Sequence, residues 1–540
     1  MKKDRTRTIA STGDKALSGA SASRSFLYYL VATAMVSGAL VMVIEILGSR
    51  VIGPFFGASL FVWTSLITVT LVALAAGYAA GGVVSDRRPS PAYLYGIILL
   101  SGVLTLLIPV LKGPVLKATV SWGLRAGAFA SSLTLFGPAL FLLGCVSPYL
   151  VRIAAREMQN IGRTVGLFYA ISTVGSFLGT VLTGFILIAY FGVNAIFTVI
   201  GSLLIALSAG YFLFFRRQGL VLAALVLPLF LYQQEGTVSK VMANGTQVTK
   251  VFSKDTHYGN LKVVEYSYGN KRHRELMIDG LIQGGMDLND RLSVYEYAYY
   301  LQFLPYGINP AGKNCLVIGL GAGLVPAWYE ERGVKTDVVD IDPAVVDIAK
   351  RYFGLAVSGD IIVADARHYL NTATKHYDYI ILDVFNGDTT PGHILSLEAL
   401  QVVKTRMTEQ GILGINLIGS LKHENFMTAS IIRTLEKVFT TVDIYPNYDV
   451  VTSDGGGNIT VLAYDARHRP FDRRLVAGFP VNAFARNGVS RYLGRPYELP
   501  VGTPGILLTD DYNPIDFYDV WLKEWVRKLI LDGIDMDVLI

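Results

Sequence analysis

Residues 315–323 read Cys-Leu-Val-Ile-Gly-Leu-Gly-Ala-Gly, a short apolar run followed by three glycines at alternating positions. Such a run predicts a buried strand, and the glycines predict a tight turn that opens a helix. A turn of this kind lets a ligand approach the backbone, and the N-terminus of the helix favours negative charge. Gly319, Gly321 and Gly323 are therefore candidate binding residues. Because the spacing departs from the full dinucleotide fingerprint, the turn alone is a weak signal.

Acidic residues at the ends of the next two predicted strands strengthen this interpretation. Asp340 ends the strand Thr336–Asp340 and follows Gly319 by twenty-one residues, where a carboxylate can bind both ribose hydroxyls of a nucleoside. Asp365 follows the strand Ile361–Ala364, where a carboxylate can meet an adenine amino group. Three strand ends that point at one crevice predict a site for an adenosyl ligand, and the alternative is a crevice with a purely structural role.

The fourth predicted strand, Tyr379–Leu382, is followed by Asp383. In a doubly wound sheet, chemistry takes place beyond the carboxyl ends of the strands. We therefore expect Asp383 beside the reactive end of the bound ligand. The alternative role for this carboxylate is that of a helix or turn cap.

The alternation of strands and helices over residues 291–470 predicts a mostly parallel, doubly wound sheet. Before it, short β-type runs and the turn Tyr268-Gly269-Asn270 predict a small antiparallel sheet over residues 240–290. After it, residues 471–540 form an appendage with an amphipathic helix from Asp516 to about Leu531.

The first half of the chain has the composition of a membrane domain. The whole chain is 52% apolar and 16% charged, whereas soluble proteins average about 45–50% and about 25%. Residues 26–233 contain six long apolar runs, each with a length near the ~20 residues that are needed to cross a bilayer. A seventh run, Gly219–Tyr232, is shorter. We expect six to seven helices after a basic tail of residues 1–25. The six long runs are residues 26–47, 55–84, 92–111, 126–150, 164–190 and 192–215.

Charge is distributed unevenly over the chain. If the six long runs cross alternately, thirteen Lys and Arg residues lie on the side of the N-terminus and four on the other side. This bias predicts a cytoplasmic N-terminus. Residues 218–540 carry thirty basic and thirty-seven acidic side chains, which argues against nucleic acid as a partner. The two cysteines form no zinc-binding spacing, so no metal is expected.

Residues 248–465 resemble the spermidine synthase (polyamine aminopropyltransferase) family. The resemblance rests on Leu-Met-Ile-Asp-Gly-Leu-Ile-Gln at 276–283, the helix of Glu296, the glycine turn, and Tyr-Asp-Tyr-Ile-Ile-Leu-Asp at 377–383. Together with the apolar half, the chain resembles the transmembrane, transporter-fused spermidine synthases of bacteria. The resemblance implies a multi-pass helical membrane domain and an α/β domain of the class I methyltransferase-like (Rossmann-like) type.

The resemblance also implies an activity. The enzymes of the family transfer an aminopropyl group from decarboxylated S-adenosylmethionine, a co-substrate, to an amine and release methylthioadenosine, without a separate cofactor. By this resemblance Asp383 is the proton acceptor and Asp340 binds the ribose. The other matching positions are Asp365 and Ala366 at the adenine, Pro391 in the pocket wall, and Gln283, Tyr295 and Glu296 on the acceptor side.

The chain departs from the family mainly on the acceptor side. The family's acid inside the glycine turn, which holds an amine, is replaced by Ala322. A second acid falls on Asn386, and Asp388 is the residue that would replace it. A donor-binding Gln in an early strand is replaced by Gly259. These losses put putrescine as the acceptor in doubt.

Two other functions are consistent with the same residues. One is a methyltransferase that uses S-adenosylmethionine itself, although no basic side chain near Gly319–Gly323 is available for its carboxylate. The other is a transporter whose α/β domain only senses a nucleoside or a polyamine. The expected partners are an amine, the adenosyl donor, a lipid bilayer and a second copy in a homodimer.

We expect the chain in the inner membrane. Because the donor is made in the cytosol, we expect the α/β domain in the cytoplasm, on the same side as the N-terminus. This arrangement requires Gly219–Tyr232 to stay on or in the membrane without crossing it, since fourteen residues reach only ~21 Å against a ~30 Å apolar core.

Overall fold

The computed structural model describes residues 24–57, 60–155, 161–217, 227–231, 238–385, 391–453, 455–515, 520–534 and 536–539. The helices up to Leu231 form a bundle. The elements from Val238 onward form an α/β domain that contacts one end of this bundle. Six of the described helices are long and apolar enough to cross a membrane. The bundle helices are α1 (Arg24–Phe56), α2 (Leu60–Arg87), α3 (Pro91–Thr119), α4 (Leu124–Leu135), α5 (Gly137–Ala154), α6 (Ile161–Leu182), the short α7 (Ile188–Tyr190), α8 (Val193–Phe214) and α9 (Leu227–Leu231).

The fourth apolar run of the sequence is two helices rather than one. α4 ends at Leu135 and α5 begins at Gly137, with Pro138 in its first turn. A proline has no backbone N–H to donate, so it favours the start of a helix over its interior. Gly137-Pro138 is therefore the local signal for this break.

One end of the bundle holds the beginning of α1 and the end of α8. The ring of Phe26 lies 5.2 Å from that of Phe215, next to Arg216 and Arg217. At the same end the hydroxyl of Tyr149 donates to the carbonyl of Arg88 at 2.7 Å. This end carries most of the basic residues of the bundle, and we call it the basic end.

The α/β domain contacts the opposite end. Arg527 Nη1 donates to the carbonyl of Pro54 near the end of α1 at 3.0 Å. The backbone N–H of Val193, at the start of α8, donates to Asp255 at 2.9 Å, and Lys117 near the end of α3 pairs with Asp537. We call this the docking end.

The chain therefore leaves α8 at the basic end and enters the α/β domain at the docking end. Most of Gly219–Tyr232 lies outside the described residues, but Arg217 and Val238 on either side of it belong to opposite ends. The 22 residues of α8 alone span ~33 Å between those ends. The expectation that this run keeps the N-terminus and the α/β domain on one side of a membrane stays a prediction, and the positions of Arg217 and Val238 at opposite ends of the bundle argue against it.

The predicted small antiparallel sheet is present and has five strands in sequential order. The predicted hairpin is confirmed, since Tyr268 pairs with Lys271 across the turn. The strands are β1 (Val238–Val241), β2 (Gln247–Asp255), β3 (Asn260–Tyr268), β4 (Lys271–Ile278) and β5 (Leu281–Asp287).

The predicted doubly wound sheet has seven strands in the order β11-β12-β10-β9-β6-β7-β8. Strands β10, β9, β6, β7 and β8 run parallel, and β12 and β11 add an antiparallel edge. The strands are β6 (Asn314–Ile318), β7 (Lys335–Asp340), β8 (Ile361–Val363), β9 (Tyr377–Leu382), β10 (Met407–Gly419), β11 (Thr441–Pro446) and β12 (Gly457–Tyr464).

Helices cover both faces of this sheet. α10 begins at Glu296, because Tyr295 has an extended backbone at the N-cap position. The helices are α10 (Glu296–Ile308), α11 (Leu324–Glu330), α12 (Pro343–Phe353), α13 (Ala366–Thr372), α14 (Leu397–Thr405), α15 (Phe426–Val438), α16 (Arg486–Tyr492), α17 (Val520–Gly533) and α18 (Met536–Leu539).

Candidate active site

The glycine turn between β6 and α11 brings three separate strands together. Gly319 has φ +87°, and a Cβ there would lie 2.2 Å from the carbonyl oxygen of Asp383. Gly321 has φ +51°, and a Cβ there would lie 2.5 Å from the carbonyl oxygen of Gln283. Only glycine permits both the backbone angles and these approaches. The turn thus packs directly against the strand ends that carry Asp383 and Gln283.

Asp340 at the end of β7 holds the turn in place. Its carboxylate accepts hydrogen bonds from the backbone N–H of Leu320 and of Asp342, each at 2.9 Å. Burial raises the pKa of Asp340 to about 6, although these backbone donors act in the opposite direction. Each oxygen retains a lone pair that can accept from a ribose hydroxyl.

Asp365 caps α13 and stands at the far side of the same crevice. Its carboxylate accepts from the backbone N–H of His368 at 2.8 Å, and its second oxygen lies 3.6 Å from Nε2 of His393. His393 belongs to a loop that also contains Pro391. Arg367 ties this loop to the C-terminal appendage, because it donates to the carbonyl of His393 at 3.0 Å and to the carboxylate of Asp510.

Asp383 follows β9 and ends a chain of side-chain amides. Asn416 Nδ2 donates to Asp383 Oδ1 at 2.8 Å, and Asn458 Nδ2 donates to Asn416 Oδ1 at 3.0 Å. Burial raises the pKa of Asp383 to about 6, and the bond from Asn416 partly offsets this. The other carboxylate oxygen of Asp383 receives no hydrogen bond from the described residues and is available to a ligand.

These residues surround a cavity of about 330 Å³, which we call the first cavity. Its size and its mixed polar and apolar lining suit a nucleoside-sized ligand. Four predicted residues of the nucleoside site, Asp340, Asp365, Ala366 and Pro391, line it together with Gly319 and Gly321. Gly323 instead forms the left-handed N-cap of α11.

A second cavity, of about 190 Å³, begins on the other side of Asp383. The two cavities share Asp383, Gln283, Gly321 and Phe385. Asp383 thus stands at the junction of a nucleoside-sized space and a second, smaller space. This is the arrangement that a group transfer between two substrates requires.

The residues that were predicted on the acceptor side do not all line the same cavity. Gln283 and Tyr295 line the second cavity, whereas Glu296 lines an outer groove of about 720 Å³ that follows it. The hydroxyl of Tyr295 donates to Glu275. Asp388 and Asn386 lie outside the described residues.

Position 322, where the resemblance would put an acid, is buried. Ala322 is 3% exposed, and its Cβ would lie 2.9 Å from a Cβ built on Gly284. The turn and strand β5 thus pack closely at the place where the resemblance would put a carboxylate. At position 259 a Cβ would lie 2.6 Å from Ile278, and the neighbouring Tyr258 lines the first cavity instead.

Several residues of the site were not predicted from the sequence. Asn416 and Asn458 orient Asp383, and Val526 and Ile530 of α17 line the second cavity. Asn416 offered a signal, since it is a polar residue in the apolar run Gly414–Leu417. No local signal connects α17 with Asp383, because more than 130 residues separate them.

The fold and the site define a methyltransferase-like α/β domain with a nucleoside-type crevice at the carboxyl ends of its strands. Residues 295–461 match the family model described as "Spermine/spermidine synthase domain". The C-terminal half of this chain therefore contains a spermidine synthase-type domain.

Proteins of two activities are among the relatives. Over 121 residues the chain is 38% identical to a polyamine aminopropyltransferase of Vibrio vulnificus, which covers 21% of this chain and 40% of the relative. Over 140 residues it is 34% identical to an N-terminal histidine N-methyltransferase of Emericella nidulans, which covers 25% of each chain. The chain thus spans 40% of the length of the first relative and 25% of the length of the second.

A crystal structure of a probable spermidine synthase from Corynebacterium glutamicum is similar over 47% of this chain and 98% of its own length. The sequence identity in that comparison is 17% and the TM-score is 0.38.

Proposed function

We propose that this protein transfers an aminopropyl group from decarboxylated S-adenosylmethionine to an amine and releases methylthioadenosine. The observation that carries the proposal is the position of Asp383 between a nucleoside-sized cavity and a second cavity. The spermidine synthase-type domain at residues 295–461 and the aminopropyltransferase among the relatives support it.

In the proposed reaction the nitrogen of a neutral amine attacks the carbon next to the sulfonium. A C–N bond forms, the C–S bond breaks with its electron pair on sulfur, and methylthioadenosine leaves. The new ammonium then loses a proton. The protein contributes by aligning nucleophile and carbon and by offering a carboxylate to the reacting amine.

Asp383 is a weak final acceptor for that proton. Its pKa is raised to about 6, whereas an alkylammonium has a pKa near that of lysine, ~10.4. Asp383 therefore orients the amine and offsets positive charge while the proton leaves to water. Asn416 fixes the carboxylate for this role.

The lining of the first cavity favours the decarboxylated donor. None of its described lining residues is Lys or Arg, and His393 is its one basic side chain. An intact S-adenosylmethionine would bring a carboxylate to a wall that already carries Asp340, Asp365 and Asp383. The decarboxylated donor lacks that carboxylate and keeps only the ammonium, which these acids attract.

The decisive experiment incubates the purified full-length protein in detergent with each donor and a panel of amines. Release of methylthioadenosine supports the proposal. Release of S-adenosylhomocysteine supports the second candidate, a methyltransferase, which is favoured by the 34% identical methyltransferase relative and by the loss of an acid at Ala322. Binding of methylthioadenosine without any turnover would favour a domain that only senses its ligand.

We also propose that the six long helices span a membrane with the basic end in the cytoplasm. The excess of Lys and Arg at that end supports this orientation. The α/β domain, at the docking end, would then lie on the opposite side, where the donor must be supplied. This replaces the expectation of a cytoplasmic α/β domain.

The orientation can be tested with single cysteines, because Cys145 and Cys315 are both buried. Val501→Cys places a thiol on a fully exposed position of the α/β domain, and Arg87→Cys places one at the basic end. In intact cells a membrane-impermeant maleimide should label the first and spare the second. The reverse pattern would put the α/β domain in the cytoplasm.

A further inference from the structure

The second cavity offers a bound cation one negatively charged partner among its described lining residues. Among the described residues that line it, Asp383 is the sole carboxylate. Its polar neighbours are neutral, and two of them are committed to other groups: Asn416 donates to Asp383, and the hydroxyl of Tyr297 donates to the carbonyl of Gln283 at 3.2 Å. An amine that reacts beside Asp383 thus finds no second charge among the described residues that line this cavity.

The rest of the wall is apolar. Leu281 and Ile282 of β5, Ile418 of β10, and Val526 and Ile530 of α17 form it. A second ammonium on a short diamine would lie against these side chains without a partner, which is strongly unfavourable. An alkyl chain in the same place would gain from leaving water.

The apolar wall continues away from Asp383. Ile282, Ile418, Val526 and Ile530 line both the second cavity and the outer groove. The groove also reaches Ile534, which is buried in the same apolar cluster as the helices of the bundle. The path from the reacting centre therefore leads towards the docking end of the bundle.

Two acids, Glu275 and Glu296, line the outer groove but not the second cavity. Glu275 is 5% exposed, accepts the hydroxyl proton of Tyr295, and has His273 Nε2 at 3.5 Å. Glu296 is half-buried at the start of α10. They would be within reach of a long polyamine, and such an acceptor is the competing outcome of the test below.

We propose that the acceptor is an amphiphile, a primary amine with one cationic head and an alkyl tail. The head meets Asp383 in the second cavity, and the tail runs along α17 towards the docking end. This inference rests on the proposed function. It names the class of amine that would accept the aminopropyl group.

The test compares unbranched primary alkylamines of four to ten carbons with putrescine and spermidine. Purified full-length protein in detergent is given decarboxylated S-adenosylmethionine, and methylthioadenosine is measured. Each buried methylene should raise kcat/KM about three- to fourfold until the tail fills the path. Higher kcat/KM with putrescine or spermidine than with every alkylamine would overturn the inference and leave aminopropyl transfer standing.

Calorimetry keeps the two proposals separate. Alkylamines are titrated into protein saturated with methylthioadenosine, and affinity should rise with tail length. If it rises but no amine yields methylthioadenosine, the proposed reaction fails while the binding inference stands. If affinity is independent of tail length, the inference fails whatever the reaction.

Ile530→Asp places a carboxylate in the apolar wall and should abolish the dependence on tail length. Lys528→Asp is the matched control, because Lys528 is an exposed residue of the same helix and lines neither cavity nor groove. Unchanged affinity for methylthioadenosine shows that each variant is folded. A tail-length dependence that persists in the Ile530→Asp variant would contradict the proposed path.

Discussion

Replacing Asp383 with Asn separates the charge of this side chain from its shape. Asn416 Nδ2 donates to Asp383 Oδ1, and an amide oxygen in the same position can accept that bond. The substitution therefore keeps the amide chain through Asn458 and removes only the negative charge beside the reacting amine. Because Asp340 at the end of β7 and Asp365 at the cap of α13 are unchanged, donor binding should persist.

Turnover should fall by ~10²–10⁴-fold, the usual effect of removing a general base. A thousandfold loss corresponds to about 4 kcal/mol of activation free energy. The affinity for methylthioadenosine, measured by calorimetry, should stay within about a factor of two. The assay uses full-length protein in detergent with saturating donor and amine.

The pH dependence should reveal the same group. If ionised Asp383 is required, kcat/KM of the wild type rises with pH through about 6, the pKa to which burial raises this carboxyl. Asp340 has a similarly raised pKa, so the affinity for methylthioadenosine must be measured over the same range as a control. The step due to Asp383 should disappear in the Asp383→Asn variant.

The stability of the protein should change in the opposite direction to its activity. The pKa of Asp383 is higher in the folded protein than in the unfolded chain, so ionisation costs the folded state free energy. That cost is absent below about pH 4 and complete above about pH 6. A pKa shift of about two units is worth about 3 kcal/mol, so Asp383→Asn should raise Tm at pH 7.5.

Near-normal turnover of the Asp383→Asn variant would refute the role assigned to Asp383.

Three further variants test the nucleoside half of the site. Asp340→Ala should weaken methylthioadenosine binding by about 1.5–3 kcal/mol in calorimetry, the worth of hydrogen bonds to a charged group, and unchanged affinity would remove Asp340 from the site. Gly319→Ala should lower both Tm and turnover, because its Cβ would lie 2.2 Å from the carbonyl oxygen of Asp383, whereas Gly333→Ala, with φ +72° and open space, should cost only about 1 kcal/mol. Arg367→Ala should weaken methylthioadenosine binding about fivefold by freeing the loop of His393, whereas Arg474→Ala, in an exposed pair with Asp472, should have no effect.

The nucleoside half could be predicted because its signals are local. A buried strand, three glycines and an acid at the next strand end lie within 30 residues, and their backbone requirements are visible in the sequence. The hairpin at Gly269 was predictable for the same reason. Strand β5 was harder, since its Gly284 and Gly285 are unusual in a strand and serve the close approach to Ala322 and Tyr295.

The acceptor half could not be predicted because its residues are brought together only by tertiary packing. The side chain of Asn458 on β12 donates a hydrogen bond to that of Asn416 on β10, and α17 contributes Val526 and Ile530 from the end of the chain. The end of the bundle that the α/β domain occupies could not be predicted for a related reason. It is fixed by the packing of Val193 and Pro54 against the α/β domain, which the sequence of residues 219–232 does not reveal.

Helix α17 connects the helical bundle to the chemistry of the site. Val526 lines the second cavity, while its neighbour Arg527 is 2% exposed and donates to the carbonyl of Pro54 in the bundle and to that of Asp279 in the small sheet. A buried guanidinium is costly unless it is hydrogen-bonded, so these bonds fix the helix relative to both halves. A displacement of α1 at Pro54 would therefore move α17 and change the wall of the second cavity. The bundle thus acts as a structural support for the acceptor side, and not only as an anchor.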